Sequence, residues 1–391
     1  MRAINRAKHL VGIALIATTM GASAQQAVSQ SQAAANTLQQ VLADVFTGLI
    51  QLVTLPKRPV GEGSVFTPLS PNPGYPEGVV VVGDKVFVSG PAAFGTAGTG
   101  PSAVTIIDRQ TGAVKGKITI QGEDLLQEHA LSCITSDAYG RLYALSTQLG
   151  VVRLVPQKNG TYKQEIYAGP FPDLPAKGPG ITGPSSPTVF DGPPLLNDLA
   201  FDYEGNLYVT DSMQATIYRI APGGGTPKVW FQSPRLEGPA FNIGLNGIRL
   251  APDGRSLALS LTFTPDFAAG RIFKLALKDK PKESDLTLLH EFPASDAPDG
   301  IAYDIVGRLY VALALSNQVA VLEQNGKESS RLSGPAGSAI AFDGPANIAF
   351  DQRGSILVTN HASISNRQES FALLKVYTRD LGWPLAQPLT R

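Results

Sequence analysis

From residue 77 onward the chain is punctuated in one way: short runs rich in Val, Ile, Leu, Tyr and Phe alternate with Gly, Pro, Asp and Asn. That pattern predicts many short antiparallel strands joined by tight turns. The stretch before it reads differently. Residues 25–56 are rich in Ala and Gln and place Val41, Val45, Leu49 and Val53 at helical intervals, which predicts a short helical extension. Residues 57–76 hold five prolines and three glycines and are expected to form an irregular linker.

A single unit recurs through the strand-rich region: an apolar strand, an Asp or equivalent, a turn ending in Gly, and a second strand of the form Leu-Tyr-Val. It occupies 132–146, 197–211 and 299–313 closely, 246–260 and 346–360 with small changes, and 77–90 one residue shorter. A spacing of roughly 50 residues fits one four-stranded blade per unit. The expected fold is therefore all-β, a six-bladed β-propeller over 77–391 behind the helical extension. Closure of the ring is favoured because a lone blade exposes an apolar face and an unpaired edge. Material after each unit suits outer strands, as in 103–108 and 114–120 around the turn at Thr111-Gly112, and 373–377 is expected as an outer strand of the last blade. Sequence before Glu77 is expected to supply a strand that closes the ring.

Charge and cysteine content narrow the function. With 32 basic and 32 acidic residues and no basic run, nothing favours a nucleic-acid partner. Cys133 is the only cysteine, so no intramolecular disulfide forms, and its apolar neighbours mark it as a buried small side chain. Residues 1–24 combine Arg2, Arg6 and Lys8 with an apolar run over 10–20 and the triplet Ala22-Ser23-Ala24, the form of a secretory signal peptide. The run is about half of the roughly 20 residues a spanning helix needs. An exported protein is expected, periplasmic or secreted, monomeric, with no membrane span after cleavage.

The first residue of each unit lies just before an innermost strand, so the six positions should ring one mouth of the central channel. They are Glu77, Ser132, Asn197, Asn246, Asp299 and Ala346. Two carboxylates and two amide carbonyls converging on one axis suit Ca²⁺, which takes six to eight oxygen ligands in flexible geometry. Mg²⁺ fits less easily, and zinc is disfavoured without thiolates or a histidine cluster. Such residues also begin strands simply by capping turns, but four at equivalent repeat positions point to a metal site.

The run Pro76-Glu77-Gly78, Asn197-Asp198, Asn246-Gly247-Ile248 with Pro252-Asp253-Gly254, and Pro298-Asp299-Gly300 ahead of Gly307-Arg308-Leu309-Tyr310-Val311 resembles the gluconolactonase and regucalcin family of six-bladed propellers. The paraoxonases are similar in plan. The resemblance covers about 77–378. It implies calcium held by Glu77, Asn197, Asn246 and Asp299, with the metal polarising the carbonyl of a small-molecule lactone or ester and Asp299 doubling as general base. By the same likeness His129 is a candidate catalytic base from the second blade, and His361, after the sixth inner strand, is another. His290 reads as an outer-strand residue. The Pro- and Gly-rich insert 169–194 is expected to shape or partly cover the pocket. Asp198 and Asn347, one place inside their units, are candidate secondary ligands.

Two other readings stay open. One is a non-catalytic propeller whose channel site holds metal and ligand, or one face of which recruits a partner protein. The other is a strictosidine-synthase-like or quinone-cofactor propeller, which would need a catalytic glutamate or cofactor-stacking tryptophans; Trp230 and Trp383 lie away from the channel motifs.

Overall fold

The computed structural model of the chain describes residues 32–188, 190–240, 242–333 and 341–389. The signal-peptide segment, 1–24, lies outside them. Each repeat unit folds as an inner hairpin because its Asp and Gly build the turn. In the second, third, fifth and sixth units the Asp carboxylate accepts two backbone N–H groups, from the residues two and four further on. For Asp202 these are Glu204 and Asn206, both at 2.9 Å, and for Asp304 they are Val306 at 3.0 Å and Arg308 at 2.8 Å. The glycine between them, Gly205 or Gly307, takes a positive φ of 87° or 84°, which a residue with a Cβ adopts only under strain.

Two more strands complete each sheet, and the described residues form six four-stranded antiparallel sheets. The innermost strands are Val79–Val82, Leu131–Ser136, Leu196–Phe201, Leu245–Leu250, Pro298–Tyr303 and Pro345–Phe350. Most inner strands are buried on both faces, so they read as continuous apolar runs. An apolar cluster fills each of the six gaps between neighbouring blades. The core is thus six equivalent layers around an axis, and removing one blade would expose two of them.

Closure mixes the two ends of the chain. The sixth sheet runs from Pro345–Phe350 through Ser355–Asn360 and Ala372–Tyr377 to Gly63–Pro68, which pairs antiparallel with Ala372–Tyr377. The closing strand therefore lies inside the 57–76 stretch expected as a linker. Its strand-forming Val65 and Phe66 are a short signal among many prolines and glycines. Thr67 then ties this strand to the first blade, donating from Oγ1 to the Gly112 carbonyl at 2.8 Å.

The helical extension is the helix Gln32–Thr54, and it lies across the face opposite the unit starts. Leu38, Val41 and Val45 pack against Ile305, Leu381 and Trp383. Gly48 permits this approach, since a Cβ there would strike Ile305. Of the helical positions read from sequence, Val53 is 64% exposed, because residues four apart drift by about 40° per step around a helix. No helix of the described residues is long and apolar enough to cross a membrane.

Gly112 tests the closure. Its φ is +74°, and a Cβ would run into the Phe66 carbonyl of the closing strand, whereas Gly160, at φ +83°, has nothing within 4 Å. Gly160→Ala should cost about 1–3 kcal/mol through backbone strain alone. Gly112→Ala should cost about 1–3 kcal/mol more through overpacking, read as a larger fall in melting temperature by circular dichroism.

Candidate metal centre at the channel mouth

In five of the inner hairpins the register slips at one place, between Leu131 and Ile134, Leu196 and Leu199, Leu245 and Ile248, Pro298 and Ile301, and Pro345 and Ile348. The slip holds Ser132-Cys133, Asn197-Asp198, Asn246-Gly247, Asp299-Gly300 and Ala346-Asn347. A β-bulge of this kind takes backbone groups out of the ladder and re-aims side chains. Here it turns the first residue of the unit to the axis.

The freed backbone groups need partners, and hydroxyls supply them. Thr210 Oγ1 accepts from the Asp198 N–H at 3.0 Å and donates to the Asn246 carbonyl of the next blade at 2.6 Å. Ser260 Oγ accepts from Gly247 at 2.7 Å and donates to the Asp299 carbonyl at 2.6 Å. Thr359 Oγ1 accepts from Asn347 at 2.8 Å and donates to the Glu77 carbonyl at 2.7 Å. Ser89 links Gly78 to the Ser132 carbonyl in the same way. Leu145 and Ala312 stand at the equivalent positions of the second and fifth blades. These hydroxyls were missed from sequence, although the signal was present as a Ser or Thr near the end of four of the six units. The glycines after Glu77, Asn246 and Asp299 belong to the same device. A Cβ on Gly247 would stand 2.8 Å from the Asp299 carbonyl, and one on Gly300 2.6 Å from that of Ala346.

The structure brings Glu77, Asn197, Asn246 and Asp299 together around one cavity of about 360 Å³, with Ser132 and His361 also in its lining. Asn197 Oδ1, Asn246 Oδ1 and Asp299 Oδ1 are buried without a hydrogen-bond partner. The orientation of Asn246 follows from its neighbours. Thr262 Oγ1 spends its proton on the Pro298 carbonyl at 2.9 Å and so accepts from Asn246 Nδ2 at 2.9 Å, which leaves the amide oxygen for the cavity. Burial pushes the Asp299 carboxyl up to about 8, with the Asn246 amide pulling it down and the Asp198 charge adding to the rise. Glu77 is raised well above the usual range by burial, then by Asp299 and Asp198. Unpaired buried oxygens and crowded carboxyls are costly, and a hard cation relieves both. Among the described residues no three of His, Cys, Asp and Glu are placed to hold a metal; the set here is two carboxylates and two amides.

Asp198 and Asn347 do not join this set. Asp198 accepts from the Ile248 N–H at 3.0 Å and from Arg249 Nη1 at 2.6 Å, while Arg249 Nη2 donates to Asn347 Oδ1 at 3.1 Å. Asn347 Nδ2 in turn donates to Cys133 Sγ at 2.9 Å. This buried network lies deeper in the channel, and Arg249 reaches a separate cavity of about 310 Å³ on the far face, beside Gln51 and Trp383. Burial and the nearby Asp198 and Glu77 charges raise the Cys133 thiol well above its ordinary value, so it stays protonated and inert.

His129 is not brought to the cavity. Its Nδ1 and Nε2 each lie 3.0 Å from a backbone carbonyl, of Gln127 and Gly100, so the ring braces a loop and has no nitrogen free for proton transfer. His361 does reach the site, with Nε2 3.4 Å from Glu77 Oε2 and against the Ala92 carbonyl. Burial lowers it to about 4, so it is neutral at pH 7. His290 contacts Gly326 from an outer strand. The insert 169–194 also departs from expectation, since none of its described residues lines the cavity. It packs instead on the third blade, through Phe171 against Tyr218 and Ser185 against Gln232. Neither tryptophan lines the cavity.

Residues 192–350, from the third blade to the innermost strand of the sixth, match the family model described as the SMP-30/Gluconolactonase/LRE-like region. That stretch holds Asn197, Asn246 and Asp299. No curated protein matches the chain. Among solved structures it is similar to regucalcin, a calcium-binding protein of Agrobacterium tumefaciens strain C58, at 15% identity over 84% of this chain and 97% of that one, TM-score 0.56. It is similar to a protein assigned as a gluconolactonase, at 15% over 85% and 97%, TM-score 0.53. It is also similar to the PQQ-bound aldose sugar dehydrogenase of Streptomyces coelicolor, at 13% over 82% and 99%, TM-score 0.51. The chain thus resembles the gluconolactonase and regucalcin propellers, and the likeness to the solved structures is one of fold.

Two outcomes follow from this geometry. Ser260→Ala leaves the Gly247 N–H and the Asp299 carbonyl without their partner and should cost about 1–3 kcal/mol in urea unfolding, with weaker calcium binding alongside. A cation bound through Asp299 would displace the proton that its carboxyl holds below about pH 8, so the binding of added calcium should strengthen as pH rises. Calorimetric titration should give a dissociation constant about tenfold or more weaker at pH 6 than at pH 8.

Proposed function

We propose that this chain is an exported, divalent-cation-dependent hydrolase of lactones or related carboxylic esters, and that calcium is its ion. The observation that carries the reading is the set of three buried, unpartnered oxygens on Asn197, Asn246 and Asp299, beside the Glu77 carboxyl. They fit a hard cation by donor type, and Glu77, Asn197, Asn246 and Asp299 would hold it. The matched family supports lactone hydrolysis, and the form of residues 1–24 supports export.

When bound, such an ion polarises a carbonyl and stabilises negative charge on its oxygen. The chain's own side chains do the rest. Glu77 and Asp299 offer acceptors when ionised, and the amide oxygens of Asn197 and Asn246 are buried without a partner. Ser132 Oγ is committed to the Leu196 carbonyl at 3.0 Å, and so is no free nucleophile. His361, neutral at pH 7, adds no charge to the site. Ionised Asp299 is the lining residue suited to take a proton from water, because burial makes its carboxylate more basic than usual, its carboxyl pushed up to about 8. Holding water and carbonyl in one small cavity is itself a contribution to rate.

One observation favours the second reading, a propeller that holds metal and ligand without turnover: His129, the base that the paraoxonase likeness implies, is engaged with two loop carbonyls and does not line the cavity. Initial rates on sugar lactones, alkyl lactones and an aryl ester, before and after chelation and with calcium restored, separate the two. A hydrolase loses activity with chelator and regains it with calcium, and Asp299→Asn lowers kcat by about 100-fold or more. Absence of turnover throughout, with a melting temperature that still falls on chelation, establishes the binding propeller.

A further inference from the structure

We infer that the substrate of this site carries an alkyl or aryl substituent and is not a polyhydroxylated sugar lactone; the inference rests on the hydrolase reading above. Above its ring of oxygens the cavity is walled by Ala92, Ala93, Phe94, Ala130, Ile243 and Ala314. Among the described residues no Lys or Arg lines it.

Four polar side chains of the wall have a partner, His361 among them with Nε2 against the Ala92 carbonyl. Tyr75 donates its hydroxyl to Asn366 Oδ1, Ser132 donates to the Leu196 carbonyl at 3.0 Å, and Thr147 Oγ1 accepts from the Ala130 N–H at 2.9 Å. Ser363 offers a hydroxyl only at the exposed rim. A sugar lactone entering this cavity would strip water from several hydroxyls and find few partners for them, and unmatched buried hydroxyls are strongly disfavoured. The oxygens that could accept from them are those already proposed to face the ion. An alkyl chain loses nothing on entry and gains by leaving water.

The loops around the mouth agree. Phe94, Phe267, Leu315 and Ile364, on loops between the second and third strands of four blades, are 66, 49, 41 and 64% exposed. These loops emerge at the cavity end of the ring, because the second strands run back from the far-face turns to pair with the unit starts. Four of the loops at this end thus each expose one apolar side chain, and Phe94 among them lines the cavity.

The test compares three lactones of one ring size on the full-length protein with calcium: δ-gluconolactone, δ-valerolactone and δ-decalactone. We expect kcat/KM for δ-decalactone to exceed that for δ-gluconolactone tenfold or more, since a few buried methylenes suffice for such discrimination. Phe94→Ser, at an exposed site that folding tolerates, should narrow the ratio between δ-decalactone and δ-valerolactone threefold or more. Equal or faster turnover of δ-gluconolactone overturns the inference and leaves the hydrolase reading intact. No turnover of any of the three, with calcium binding preserved, overturns both. A ratio unmoved by Phe94→Ser, together with no preference for the alkyl lactone, also counts against the apolar wall as the source of specificity.

Discussion

Everything at the channel mouth depends on how the bulged start of one innermost strand is held by the blade before it. A bulge that points a side chain to the axis also frees a backbone N–H and a carbonyl in the driest region of the molecule. Left alone, those groups would favour a regular ladder and turn the side chain away. The hydroxyls of Ser89, Thr210, Ser260 and Thr359 remove the conflict by accepting from their own blade and donating to the next. At four of the six seams one hydroxyl both holds a strand start and bonds the adjacent blade, while Leu145 and Ala312 stand in its place at the other two.

This explains why the site belongs to no single blade. Glu77, Asn197, Asn246 and Asp299 come from four different sheets and meet only when the ring is closed by Gly63–Pro68. Crowding their oxygens without partners works against folding, and the six apolar layers between blades are what hold them there. A preorganised, under-satisfied cluster of this kind is what a cation site needs, because the protein has little left to rearrange when an ion arrives. The small residues beside them, Gly78, Gly247 and Gly300, serve the approach of neighbouring strands.

Much of this was legible in the sequence because a repeat reports equivalent positions six times. The blade count, the inner hairpins and the four oxygen-bearing residues all followed from aligning the units on their Asp and Gly. What stayed hidden has no repeating signal. Strand Gly63–Pro68 is a copy of nothing else in the chain and sits among prolines that mask it. The orientation of His129 is decided by two loop carbonyls far from its unit register. The insert 169–194 reads as a cover, yet its few apolar anchors, Phe171 and Leu174, find their places on the side of the third blade. The role of Asp198 depended on Arg249, a residue of another blade whose length and charge only the folded ring brings within reach.

The pairing of Asp198 with Arg249, braced by Asn347 and Cys133, divides the axis of the propeller into an upper and a lower chamber. A ring that could have been a pipe is therefore a cup. The two chambers share no lining residue, so a ligand held in one touches none of the side chains of the other.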